Sequence, residues 1–402
     1  MSKYILITGG ELFNKGAQSM TFIAVNELKN MFPDKKIILL SGQDYERSEE
    51  YKNQYLFDIL PINILLTSEL LGGVYKFIWR LRSKKYNKKA YKSLIPKFKE
   101  ILNNTYAIID ISGYALSSQW GITGSMRYLT KLILAKKYDI EVYIMPQSFG
   151  PFTYNGIFKI IINQLIKVYM RYPKVIFARE NEGYKFLHYD YQLENVRKAY
   201  DLVLLNKSIN LSNIYKVNPK IIEYKNAKGV AIVPNMRNFD HGNTEQIMLM
   251  YDIIINKLIG LGKTVCLVRH SYEDIEACKM IKNRFSDNNN VILIVDDMSC
   301  IEFDELIKKF EFLIGSRFHS IVHAYKNGIP CIAIGWATKY RELLETFKQE
   351  KYIFDVRNNI DANEINKSID VMLNKYKEES NTILSILNEV QKFNVFDVIG
   401  EK

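Results

Sequence analysis

Phe312-Leu313-Ile314-Gly315-Ser316-Arg317-Phe318-His319-Ser320 holds a strand end, a turn and a helix start in one short run. Apolar residues close the strand and Gly315 turns the chain. Ser316 has the side chain of a good N-cap, which would place Arg317 and His319 in the first turn of the helix that follows. A helix start offers unpaired N–H groups and the positive end of the macrodipole, so it suits an anion. The Arg fork matches carboxylate or phosphate, and a His two positions on can move a proton near neutral pH. Strand, turn and helix start together predict an α/β fold with an anion site in its second half.

The same alternation extends in both directions. Tyr4–Thr8 and Lys36–Leu40 read as strands around a helix at Gln18–Met31. Tyr106–Ile111, Glu141–Met145 and Val175–Ala178 read as further strands, with helices at Ser125–Lys137 and up to Leu187. A polar, Asn- and Lys-rich stretch at 206–228 interrupts the pattern. Strands then resume at Gly229–Val233, Thr264–Arg269, Val291–Val295, Phe312–Ile314 and Cys331–Ile334. Repeated strand–helix alternation implies parallel sheets flanked by helices. The expected architecture is two doubly wound Rossmann-like domains facing across a cleft, as in a glycosyltransferase-B-like fold, with ligands at the strand C-termini. The expected divisions are 1–205, a linker at 206–228, 229–360, and a helical tail at 361–402 that can pack back on the first domain.

A chain of 402 residues exceeds what one core usually serves. Hydrophobic content of 48% and charged content of 25% are ordinary for a globular protein. The net charge of +11 suits phosphorylated substrates or an anionic membrane surface. Nothing resembles a nucleic-acid-binding module and the lysines are widely spread, so nucleic acid is set aside. Cys266, Cys278, Cys300 and Cys331 form no C-x-x-C pair and read as free thiols of a reducing cytosol. Met1–Ile7 reads as a strand, not a signal peptide. A cytoplasmic location follows, with peripheral contact at the inner membrane leaflet left open.

That contact would involve Ile59–Trp79, which is rich in apolar residues and followed by Arg80, Arg82, Lys84, Lys85, Lys88 and Lys89. Glu69, Gly72 and Gly73 argue against a spanning helix of roughly 20 apolar residues. Two readings stand: a helical insertion at about 59–100 with a solvated basic face, or a membrane patch that meets anionic headgroups.

Further candidates follow other strands. Asn14 and Lys15 lie on the loop after the first. Asp110 ends a strand and can act as a base on a sugar hydroxyl or as a cap. Gln147 and Ser148 lie on a Pro/Gly turn. Arg179, Arg237 and Lys339 are candidate cations for a carboxylate-bearing ligand, and Ser316 offers a hydroxyl beside Arg317. His319 and His323 have metal-ligand spacing at i, i+4, but no third ligand stands out and no metal is expected.

Arg317-Phe318-His319-Ser320-Ile321, Ala324, Gly328-Ile329-Pro330-Cys331-Ile332-Ala333-Ile334 and Lys339 resemble the C-terminal signature of the polysaccharide pyruvyl transferase family. Asn14-Lys15-Gly16-Ala17, Asp110-Ile111-Ser112-Gly113, Met145-Pro146-Gln147-Ser148-Phe149-Gly150-Pro151 and Ala178-Arg179-Glu180 agree in kind and order. Ser112 stands without the family's usual paired glycines, and Gly16 without the Asp that often follows it. The resemblance implies transfer of the pyruvyl unit of phosphoenolpyruvate to two hydroxyls of one sugar, releasing phosphate, with no cofactor. The acceptor would be a surface polysaccharide or its lipid-linked oligosaccharide precursor. Catalysis would fall to His319, Arg317 and Asp110. Donor and acceptor binding would fall to Arg317, Arg179, Arg237, Asn14, Lys15, Gln147, Ser148, Ser316 and Lys339. The alternatives are a nucleotide-sugar glycosyltransferase of similar fold, or a non-catalytic member of a polysaccharide-assembly complex.

Overall fold

A computed structural model describes residues 3–76, 93–336, 338–358 and 361–400. Two parallel sheets form its frame. The first comprises β1 (Tyr4–Thr8), β2 (Lys36–Leu40), β3 (Asp58–Leu60), β4 (Thr105–Asp110), β5 (Tyr114–Leu116), β6 (Glu141–Phe149), β7 (Val175–Ala178) and β8 (Val196–Lys198). Their order is β3-β2-β1-β4-β6-β7-β8, with β5 paired to β6 alone. The second comprises β9 (Val230–Val233), β10 (Val265–Val268), β11 (Val291–Ile294), β12 (Phe312–Gly315), β13 (Cys331–Gly335) and β14 (Ile353–Asp355), in the order β11-β10-β9-β12-β13-β14. Helices cover both faces of each sheet. That is why strands such as Ile5-Leu6-Ile7 and Val230-Ala231-Ile232-Val233 are continuous apolar runs, buried throughout.

Strand order reverses between β1 and β4 in the first sheet and between β9 and β12 in the second. In such sheets the crevice outside the strand C-termini at the reversal is where ligands bind. Thr8 lies opposite Asp110 across the first reversal, and Val233 opposite Gly315 across the second. The two crevices face each other, and one apolar cluster runs through the junction, including Phe22, Leu202, Val233, Phe303, Phe318 and Ile321.

Three expectations change in detail. The stretch expected as an insertion at about 59–100 begins inside the sheet, because Asp58–Leu60 pairs with β2. The helix Ile64–Leu71 that follows is capped by Asn63 and buries Leu66 and Leu70, so part of that apolar run is core. Arg80 to Lys89 lie outside the described residues. No helix among the described residues is long and apolar enough to cross a membrane. The stretch 206–228 between the sheets is partly packed: Ile214 and Tyr215 are buried, and the Tyr215 ring lies among Phe22 and Tyr55. The tail helix Ala362–Val390 buries Ile369 and Met372 in the second domain. The chain then reaches the first domain, where Gln391 donates to the Leu204 carbonyl and Phe393 meets the Phe177 ring.

Candidate active site

The helix expected after Ser316 spans Phe318–Lys326, and its N-cap position is Arg317, not Ser316. The reason lies inside the second domain. Ser316 is 1% exposed, and its hydroxyl sits 3.3 Å from that of Tyr251. Its carbonyl accepts from Asn235 and Tyr340. Ser316 is therefore a buried joint, not a ligand contact.

Arg317 is also turned inward. Its Nε donates to both carboxylate oxygens of Asp274 at 3.1 and 2.9 Å, and its Nη2 reaches Asp274 at 2.5 Å and Glu273. Asp274 additionally accepts the N–H groups of Met236 and Ser271. Burial by itself would lower the guanidinium's affinity for its proton, but the Asp274 and Glu273 pairs outweigh it and raise the pKa. Arg237, expected at the cleft, is exposed and pairs with Asp240 at 3.1 Å and Glu273 at 3.3 Å. The two arginines share one acidic corner of the second domain.

His319 points the other way and leaves its own domain. A Cβ added at Gly16 would lie 2.3 Å from the imidazole Cγ, so the ring rests on the start of the first domain's helix Lys15–Met31. Only glycine permits that approach. His319 Nε2 lies 3.6 Å from Asp201 Oδ2, too far for a formed hydrogen bond but within reach of its charge. It has no hydrogen-bond partner among the described residues. Burial depresses the His319 pKa below its ordinary value, and Asp201 opposes part of that fall.

Asp201 is tied to Arg179, whose Nη1 donates to it at 2.6 Å. Arg179 Nε donates to Glu180 at 2.7 Å and its Nη2 to Ser148 at 2.6 Å. The guanidinium lies 4.3 Å above the Phe318 ring, so this first-domain arginine covers the second domain's helix start. Lys339 approaches the same ring from the second domain, 5.3 Å from its centroid. Burial, then repulsion by Arg179, pushes the Lys339 ammonium down to about 8. These groups border a cavity of about 340 Å³ at the junction, lined by Arg179, Glu180, Lys198, Asp201, Phe318 and Lys339 among others.

The first-domain candidates divide. Asn14 caps the helix, accepting from the N–H groups of Gly16 and Ala17. Lys15 crosses to the His270 carbonyl at 2.9 Å, and burial, then Arg269, lowers its pKa to about 8. Asp110 is 3% exposed and accepts from Thr8 at 2.6 Å, Lys131 at 2.8 Å, Gln147 at 3.0 Å and the Ser112 N–H at 3.2 Å. Burial would raise this carboxyl, but Lys131 and the hydrogen bonds prevail and hold it below the usual range. Its lone pairs are committed, so Asp110 and Gln147 knit β1, β4 and β6 together and do not present a free base. Gln147 and Ser148, expected on a Pro/Gly turn, lie instead within β6, because the strand continues to Phe149, and Ser148 reaches the cavity border through Arg179. His323 bridges the domains, with Nδ1 2.6 Å from Asp304 and Nε2 3.1 Å from Ser19. Among the described residues no group of three His, Cys, Asp or Glu suits a metal ion.

Asp201, Lys198 and Asp274 are the site residues that sequence reading missed. Asp201 carried one local signal: it stands before the apolar run Leu202–Leu205 and caps it, accepting from the Val203 N–H at 2.9 Å.

Two facing parallel-sheet domains joined at a cleft define the GT-B-like fold, and solved structures agree. UDP-GlcNAc 2-epimerase from Methanocaldococcus jannaschii aligns over 96% of this chain and 99% of its own, at TM-score 0.55 and 14% identity. The S. aureus MnaA–UDP co-structure aligns over 100% and 98%, at 0.55 and 11%. A glycosyltransferase from Rickettsia africae aligns over 100% of both chains, at 0.54 and 12%. Identities this low speak for the fold alone. A search of curated proteins gives no match. The family model for polysaccharide pyruvyl transferase matches residues 14–338, from the His319-facing helix to Lys339's neighbour, and the chain belongs to that family.

Proposed function

We propose that the protein uses phosphoenolpyruvate to place a pyruvate ketal on two hydroxyls of one sugar, within a surface polysaccharide or its lipid-linked precursor. The observation that carries this reading is the junction cavity, lined by Arg179, Lys198, Lys339 and by Asp201, whose carboxylate lies 3.6 Å from the unpartnered nitrogen of His319. A donor bearing a carboxylate and a phosphate asks for several cations in one place. Lys339 and Lys198 meet it directly, while Arg179 keeps the cavity wall in place.

In the first step His319, as imidazolium, protonates the donor's methylene carbon, and a sugar hydroxyl adds to the neighbouring carbon. The proton that hydroxyl releases can return to the imidazole. The second hydroxyl then displaces phosphate, and its proton leaves with the phosphate. Asp201 stabilises the imidazolium by its charge and needs no proton of its own.

The second reading, transfer from a nucleotide sugar, draws on the UDP-bound relatives of the same fold. Calorimetric titration separates the two. Phosphoenolpyruvate should bind the wild-type protein and bind weakly to Lys339→Met, while UDP-GlcNAc should give no heat. Binding of UDP-GlcNAc without phosphoenolpyruvate would overturn the proposal.

A further inference from the structure

The helix Gly156–Tyr169 is apolar on two opposite sides. Ile162 and Ile166 are buried against the first domain. On the outward side, Ile157 is 67% exposed, Ile160 71%, Ile161 42% and Val168 41%. Their spacing of three, four and seven residues makes them one continuous stripe. A helix apolar all round ordinarily belongs in an interior, and this one leaves half of itself in water.

Charge indicates what covers the stripe. From Val142 to Ala178 the sequence contains no Asp or Glu, and Lys159, Lys167 and Arg171 along the helix and its end are exposed. A second copy docking by the same face about a two-fold axis would oppose these cations to themselves. An anionic bilayer meets both features, since the isoleucines enter the acyl boundary and the cations face headgroups. Beside Ile160 the surface continues into a depression of about 510 Å³ lined by Phe152, Phe186 and Tyr191, with Lys167 and Asp190 at its edge. The helix also follows the loop that leaves the C-terminal end of β6 after Phe149, so its first turn, with Ile157, lies toward the strand ends that border the cleft.

We propose that the outer face of helix Gly156–Tyr169 is a docking surface for an anionic lipid bilayer. The proposal is independent of which donor the enzyme uses.

The test is vesicle co-sedimentation of the full chain with phosphatidylcholine alone or mixed with phosphatidylglycerol. Binding should require phosphatidylglycerol and weaken as salt rises. The double variant Lys159→Gln/Lys167→Gln should lose roughly fivefold per lysine. The triple variant Ile157→Gln/Ile160→Gln/Ile161→Gln should abolish sedimentation while keeping its thermal midpoint, because all three side chains are exposed. Three outcomes would overturn the proposal: no binding to either vesicle, binding that survives the triple variant, or a concentration-dependent dimer that the triple variant abolishes. The last would assign the face to a second copy. Because sedimentation needs neither donor nor product, its failure is distinct from failure of the proposed reaction.

Discussion

The Arg317 guanidinium is held within the second domain by Asp274 and Glu273, whereas the His319 imidazole leaves that domain and rests on Gly16 of the first. The two residues flank one helix start, yet the Nε and Nη2 of one are bound to carboxylates while the other has a buried nitrogen without a partner among the described residues. A strongly paired arginine fixes geometry, and an unsatisfied buried histidine is placed for chemistry. Under the proposed reaction, Arg317 builds the helix start and His319 acts from it.

Replacing His319 by Gln gives the largest expected effect on turnover. Hydrogen bonding survives but carbon can no longer be protonated, so kcat should fall about 10²–10⁴-fold with donor binding retained. Steady-state kinetics with donor titration checks it, and an equal loss of binding would blur the contrast with Arg317.

Asp274→Ala tests the other side. It leaves Arg317 poorly compensated in a largely buried position, and breaking such a pair costs about 3–5 kcal/mol. Denaturant unfolding should show that loss. A variant as stable as the parent would mean the pair is not what fixes the helix start.

Lys339→Met removes a cation from the cavity without disturbing either pair. Losing one charge-assisted hydrogen bond corresponds to a rise in donor KM of about 10–100-fold. In the parent protein the Lys339 pKa of about 8 sets a further sign: the ammonium is lost above that pH, so donor KM should climb there. The rise should be absent from Lys339→Met.

The smallest change sharpens the His319 side alone. Only imidazolium can act as the acid, so kcat/KM should fall as pH rises through the depressed His319 pKa. Asp201 holds that pKa up, so in Asp201→Asn the fall should come at lower pH. A pH–rate profile that does not move would remove Asp201 from the acid's surroundings.

Much of this contrast was invisible in the sequence for identifiable reasons. Long apolar strands such as Tyr4–Thr8 and Val175–Ala178 announce themselves, and so does the helix start after Gly315. The strands β3, β5, β8 and β14 have three residues each, too few to show a period of two. Missing β8 hid Asp201, which follows it, and with it the carboxylate that pairs with Arg179 and lies within charge reach of His319. The partner of Arg317 lies 43 residues away on another helix, so no local pattern reveals that its fork is occupied. Asp110 was correctly placed at a strand end, but its saturation depends on Lys131 and Gln147, which only the packed sheet brings together. Ser316 has an N-cap side chain, and tertiary contact with Tyr251 draws it inward instead.

The most direct test of His319 as a carbon acid is the reaction run in deuterium oxide with phosphoenolpyruvate and a glycan acceptor, read by mass spectrometry and phosphate release. The predicted product is the acceptor plus pyruvate less water, with one deuterium in the ketal methyl group, and His319→Gln should form it far more slowly. A product without methyl deuterium, or a glycosyl adduct formed from a nucleotide sugar in place of a ketal, would contradict it.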